Sequence, residues 1–144
     1  MKRAFTLLEM FLVIALIGLL GAITIPFYQS LQINTQRETL SNELISSLHR
    51  AKLKAISAVD DQSWGVNLSQ SQIIIFRGAD FLNRDQNYDE IIEMPKNVSI
   101  SGPVTEIVFN KFTGLPTASG TISVSDTTGK SQDITVTIQG TVDY

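Results

Sequence analysis

Four groups of residues in this 144-residue chain have types and spacings that could do chemistry. His49 is the one histidine and there is no cysteine, so disulfides, thiolate chemistry and a Cys/His zinc site are excluded. No close carboxylate pair accompanies His49, and no nucleophile–base–acid set can be assembled around it; it reads as a surface or boundary histidine. The run TTGKS, from Thr127 to Ser131, has the ending of a phosphate-binding loop. That motif needs a glycine five residues before Gly129, where Val124 stands, so the run reads as a hairpin turn. NRDQNYDE places Asn83, Asp85, Asn87 and Asp89 at alternate positions, as in the first half of a calcium loop. The sixth and twelfth positions of such a loop require Gly and Glu, and here they are Tyr88 and Met94. The expectation is a solvated inter-strand loop, with a looser calcium site left open. The fourth group is a single residue, Glu9, at the start of the apolar run in MKRAFTLLEMFLVIALIGLLGAITIPFYQ. No catalytic residue, metal ligand or cofactor is expected, and neither is a small-molecule substrate; the chain does not read as an enzyme.

The elements that must position these residues begin with that run. Hydrophobic residues make up 43% of the chain, and many of them lie between Leu7 and Phe27. From Met10 to Ile25 only Gly18, Gly21 and Thr24 interrupt them, a stretch near the ~20 residues a helix needs to cross a bilayer. Lys2 and Arg3 precede it and the next positive charge is Arg37, which places the N-terminus on the cytoplasmic side. A net charge of −3 removes the general attraction to phosphate backbones that nucleic-acid binders use. Three readings of the N-terminus compete. A secretory signal peptide has a shorter apolar region and a small-x-small exit, and LLGAITIPF offers no good match. A plain membrane anchor tolerates Glu9 near the interface but does not explain it.

The third reading does. A-FTLLEM followed by the apolar run resembles the class III signal of type IV pilins and type II secretion pseudopilins. The resemblance implies that a prepilin peptidase cuts between Ala4 and Phe5 on the cytoplasmic face and methylates the new amine of Phe5. Glu9 then becomes the fifth residue of the mature chain, and Pro26 falls where the family helix bends or melts. A carboxylate in an apolar helix is poorly tolerated unless a positive group meets it. In the family's filaments the amine of one subunit lies beside the glutamate of a neighbour, so Glu9 is expected to set assembly register. The family usually has Gly before the cut, where this chain has Ala4.

Beyond Pro26 the helix is expected to continue, with Leu40, Leu44, Leu48 and Ala55 at helical spacing and Ile33, Ile45 and Ile56 beside them. Lys52 and Lys54 suit the negative end of its dipole. After Asp60 the period changes to two: WGVNLS and QIIIFRG read as a hairpin, followed by EIIEM, NVSISG, EIVFN, GTISVS, DITVTIQ and TVDY. In DITVTIQ, Ile134, Val136 and Ile138 share the expected buried face, while Gly129 and Gly140 sit at turns. A long helix followed by strands predicts an α+β fold, the helix laid on an antiparallel β domain. The domain plan is a leader at 1–4, a transmembrane and filament-core helix at 5–28, its amphipathic continuation at 29–58 and a β-rich domain at 59–144. The C-terminal pattern, with Phe109, Gly114, Gly120, Gly140 and Val142, resembles the GspH/FimT group of minor pseudopilins and minor pilins. Some of that group bind DNA through C-terminal arginines, but this chain ends QGTVDY, so DNA is not an expected partner. The resemblance implies a structural subunit of a secretion pseudopilus or type IV pilus, a single-pass protein of the inner membrane before assembly. Its implied partners are prepilin peptidase and other pilins or pseudopilins. The alternatives are a pilus-tip subunit for adhesion, twitching or DNA uptake, and an uncleaved membrane-anchored periplasmic domain.

Overall fold

A computed structural model describes residues 5–144, the side chains of residues 23–27 excepted. One α-helix, α1, runs from Leu7 to Ile56, and all strands follow it. The chain divides into two compact units, Met1–Gln32 and Ile33–Tyr144.

In the first unit α1 is apolar on every face, and its described side chains are exposed. Leu7, Leu12, Ile14, Ile17 and Leu20 are among them, each more than half accessible. Among the described residues no helix is long and apolar enough to cross a membrane. The run read from the sequence extends to Phe27, and Ile23–Phe27 include side chains outside the described ones. The bend expected at Pro26 falls among these same residues, and Ala4 also lies outside the description.

The second unit is built on the rest of α1. Leu40, Leu44, Leu48, Ala51 and Ala55 recur every three or four residues and are all buried, forming the stripe that seats the helix. Ile33 and Ile45 flank it half-buried, and Ile56 at its end is largely exposed. The stripe lies across two antiparallel sheets rather than one. In the first, β1 (Trp64–Leu68), β2 (Gln72–Arg77), β3 (Glu90–Glu93) and β5 (Glu106–Phe109) are ordered β3-β2-β1-β5. In the second, β4 (Val98–Ser101), β6 (Gly120–Asp126), β7 (Ser131–Val136) and β8 (Val142–Asp143) are ordered β4-β6-β7-β8. Val66, Ile73, Ile75, Ile107 and Phe109 from one sheet and Ile122, Val124, Ile134 and Val136 from the other join the helix in one core. The β1–β2 hairpin and the β6–β7 turn at Gly129 form as the sequence indicates. Ile138 does not: β7 ends at Val136, the chain turns through Thr137–Gly140, and Ile138 is 71% exposed.

Two contacts lock this arrangement. Gly65 pairs directly with Phe76 across the β1–β2 ladder, and the Phe76 ring lies over it; a Cβ there would stand 2.5 Å from Cζ of Phe76. Because Phe76 is fully buried and stacks edge-on with Phe81 at 5.4 Å, its ring has no free space to retreat into. At the start of the helix stripe, Arg37 Nη1 donates to Asp126 Oδ2 at 2.8 Å, with the Asp126 side chain wholly enclosed. The other oxygen of Asp126 accepts from the Thr128 hydroxyl and from the N–H groups of Thr128 and Lys130. The Thr128 hydroxyl above all, with these N–H groups and the Arg37 charge, holds the carboxyl below its ordinary range against the opposing effect of burial. Nearby, Tyr144 donates its hydroxyl to Asn42 Oδ1 at 2.8 Å, tying the C-terminus to the helix.

Gly65→Ala should destabilise the second unit by about 1–3 kcal/mol, the cost of overpacking a filled core, read as a lower urea midpoint with unchanged slope. Asp126→Asn should change the pH dependence of stability. A carboxyl whose folded pKa is depressed stabilises above its unfolded value, near ~3.9, and that contribution is lost as pH falls through the lower folded value. The urea midpoint of the wild type should therefore fall more steeply below about pH 4 than that of Asp126→Asn.

Candidate assembly site

The N-terminal site is organised by Thr6. Its hydroxyl accepts from the Glu9 N–H at 3.3 Å, and its carbonyl accepts the first helical bond, from Met10 N–H at 3.2 Å. Thr6 is thus the N-cap of α1 and Glu9 the third helical residue, the spacing of a capping box. This T-x-x-E signal is present in the sequence, and it gives Glu9 a local role beside that of a charge in an apolar run. The cap fixes two things. Phe5 stays outside the helix, non-helical and 75% exposed, and Glu9 is carried in the first turn, where the helix dipole favours a negative charge. Glu9 is exposed and has no cationic partner among the described residues. The site therefore consists of an acceptor looking for a cation, at the head of a helix whose surrounding side chains are apolar on all sides.

The C-terminal residues singled out by the sequence converge on the other end of α1. The Phe112 N–H donates to the Ala55 carbonyl at 3.0 Å, satisfying one of the helix's last acceptors. Gly114, at φ +63°, comes so close that a Cβ would lie 2.5 Å from Ile56. Lys52 Nζ reaches across to the Gly140 carbonyl at 2.8 Å, and the space a Cβ on Gly140 would need is taken by the Gly114 carbonyl at 2.9 Å. Two loops, one after β5 and one after β7, thus meet over the helix end, and each approaches through a glycine. Phe109 is buried beneath them, whereas Gly120 and Val142 lie elsewhere, on β6 and β8. This constellation is a fastening of helix to sheets, with no chemistry of its own.

The remaining motifs are occupied internally. In the NRDQNYDE loop, Asp85 pairs with Arg77 at 2.7 Å and Asp89 with Arg84 at 2.9 Å, while Asp80 accepts from the Asn83 side chain and N–H. Those Asn83 bonds, the side-chain one first, lower the Asp80 pKa. Arg77 at the end of β2 and Arg84 in the loop supply the positive charge that a cation would otherwise provide. Arg84 and Lys111, the basic residues beside aromatics, are likewise paired, Lys111 with Asp61 at 2.8 Å. His49 is exposed, and among the described residues no group of three or more His, Cys, Asp or Glu side chains could hold a metal ion.

No protein-family model matches the chain. Two curated proteins, each named "Fimbrial protein" from Pseudomonas aeruginosa, are 28% identical to it over 102 residues. The match takes in 65% of this chain and 66% of each relative, so the chain spans just under two thirds of the length of the curated relatives it matches. Among solved structures, the minor pseudopilin EpsH from the type 2 secretion system of Vibrio cholerae superposes with a TM-score of 0.57 at 11% identity. That superposition covers 75% of this chain and 94% of EpsH. A long N-terminal helix seated on antiparallel sheets, matched over nearly all of EpsH, gives this chain the pilin-like fold of a minor pseudopilin.

Proposed function

We propose that the protein is a structural filament subunit, a minor pseudopilin or minor pilin, assembled through its N-terminal helix. The observation that carries this reading is the state of α1 in the first unit: apolar on every described face, its described side chains exposed throughout, and headed by the Glu9 carboxylate, which has no cationic partner among the described residues. A helix of this kind has no stable place in water, and it suits the inner membrane before assembly and a bundle of like helices after it. In this reading the run from Leu7 to Phe27 inserts in the inner membrane with its N-terminus cytoplasmic, and prepilin peptidase cuts between Ala4 and Phe5. The new Phe5 amine is N-methylated and remains cationic. Thr6 holds Phe5, the residue after the cut, outside the helix in non-helical backbone that a protease can engage. In the filament the amine of one subunit meets Glu9 of another, which rejects any register leaving the carboxylate unpaired. A bend at Pro26 would adapt the helix to its neighbours, since proline removes a backbone hydrogen bond there. No step calls for a cofactor, a metal or a catalytic residue.

The likeness to EpsH favours a short pseudopilus serving protein secretion, and the likeness to the two fimbrial proteins favours a type IV pilus as the second reading. The N-terminal mechanics are the same in both.

Glu9→Leu should leave membrane insertion intact, because it removes a carboxylate that costs on the order of 2.5–3.5 kcal/mol at the bilayer centre and less near its edge. Incorporation into sheared filaments should fall at least about tenfold, as expected when a pair worth on the order of 1.4 kcal/mol or more is lost. Quantitative immunoblotting of membrane and filament fractions reads both, and filament incorporation at the wild-type level would remove Glu9 from assembly.

A further inference from the structure

The strand β3 is the open edge of its sheet, hydrogen-bonded only to β2. The Met94 N–H donates to the Ser71 carbonyl, and bonded pairs recur every second residue along an antiparallel ladder. Ile92 and Glu90 therefore point their backbone groups at β2, and Ile91 and Glu93 point theirs outward. Beside this edge, where the sheet stops short of covering α1, lies a groove of about 290 Å³ lined by Thr39, Leu40, Glu43, Ile92, Glu93 and Pro95. Small-molecule pockets start near ~300 Å³ and are enclosed, so this one suits one or two side chains entering from an added strand. Its rim is acidic. Glu93 has no cationic partner among the described residues, and Glu43 is held only by an exposed contact to Arg50 at 3.3 Å. Exposed edges are commonly protected by charge, and Glu93 on this edge disfavours an acidic strand and favours a basic one.

We propose that the β3 edge and this groove receive an extended segment of a partner protein, a β-strand whose apolar side chain enters the groove between flanking lysines or arginines. The added strand would take its main-chain bonds from Ile91 and Glu93, and its charges, on the face opposite the groove, would meet Glu93. The site does not depend on the filament role.

The probe is the capped peptide KVTVK, added at millimolar concentration to the full-length protein in detergent micelles, with backbone amide exchange followed by NMR. Exchange at Ile91 and Glu93 should slow about threefold or more, while Ile92, already bonded to β2, should not change. The peptide EVTVE should have no such effect, and neither should KVPVK, whose proline breaks the ladder. In the variant Glu93→Gln, with unchanged circular dichroism, affinity for KVTVK should fall about threefold. Unchanged exchange at Ile91 and Glu93, or equal slowing by EVTVE or KVPVK, would overturn the proposal. Slowing that follows protein concentration without peptide would also overturn it, because the occupant would then be a second copy of the chain.

Discussion

The second unit depends on the burial of one helical stripe, Leu40, Leu44, Leu48, Ala51 and Ala55, across the inner faces of two sheets. Each fully buried leucine contributes about 1.5–3 kcal/mol, and no pairing within either sheet replaces what α1 supplies at their junction. The two sheets exchange no strand, and the helix is the element to which both are fastened. The polar fastenings sit at the ends of the stripe. Arg37–Asp126 holds the β6–β7 turn at one end, and Phe112, Gly114, Lys52 and Gly140 hold two loops at the other. Between them Arg50 and Lys54 pair with Glu90, setting β3 on the helix.

The same helix meets the opposite problem in the first unit. There its apolar residues have no sheet to cover them, and a single acidic residue at its head has no cationic partner among the described residues. In the proposed filament both deficits would be met at once by other copies of such a helix, which would supply apolar surface and a terminal amine together. Thr6 links the two requirements, because the cap that starts the helix also sets the spacing between Phe5, whose amine the proposed cut would free, and the Glu9 carboxylate. Assembly in this view follows from incomplete satisfaction of one helix, the fold being complete without it.

Much of this was legible in the sequence because it is periodic. The leucine stripe shows at a period near four, β6 and β7 at a period of two, and β2 and β5 as short apolar runs, down to the β1–β2 and β6–β7 hairpins. Periodicity gives a strand's buried face but not the sheet it joins, so the split into two sheets around α1 was not readable. Nor does it mark where a strand stops: Ile138 continues the alternation, yet the loop that must bring Gly140 onto Lys52 ends β7 at Val136. Gly65 gave no signal because its reason is Phe76, eleven residues away and opposite it only in the folded register. At the N-terminus the acidic residue drew the reading, while the quieter partner, Thr6, was visible all along as the first letter of T-x-x-E.

The most direct measurement is the mass of the N-terminal peptide of the protein purified from a host carrying a prepilin peptidase. A filament subunit built as proposed requires a peptide beginning at methylated Phe5, cut after Ala4 in place of the usual glycine. A peptide still beginning at Met1 or Lys2 would contradict it, leaving an anchored domain whose Glu9 has no amine to meet.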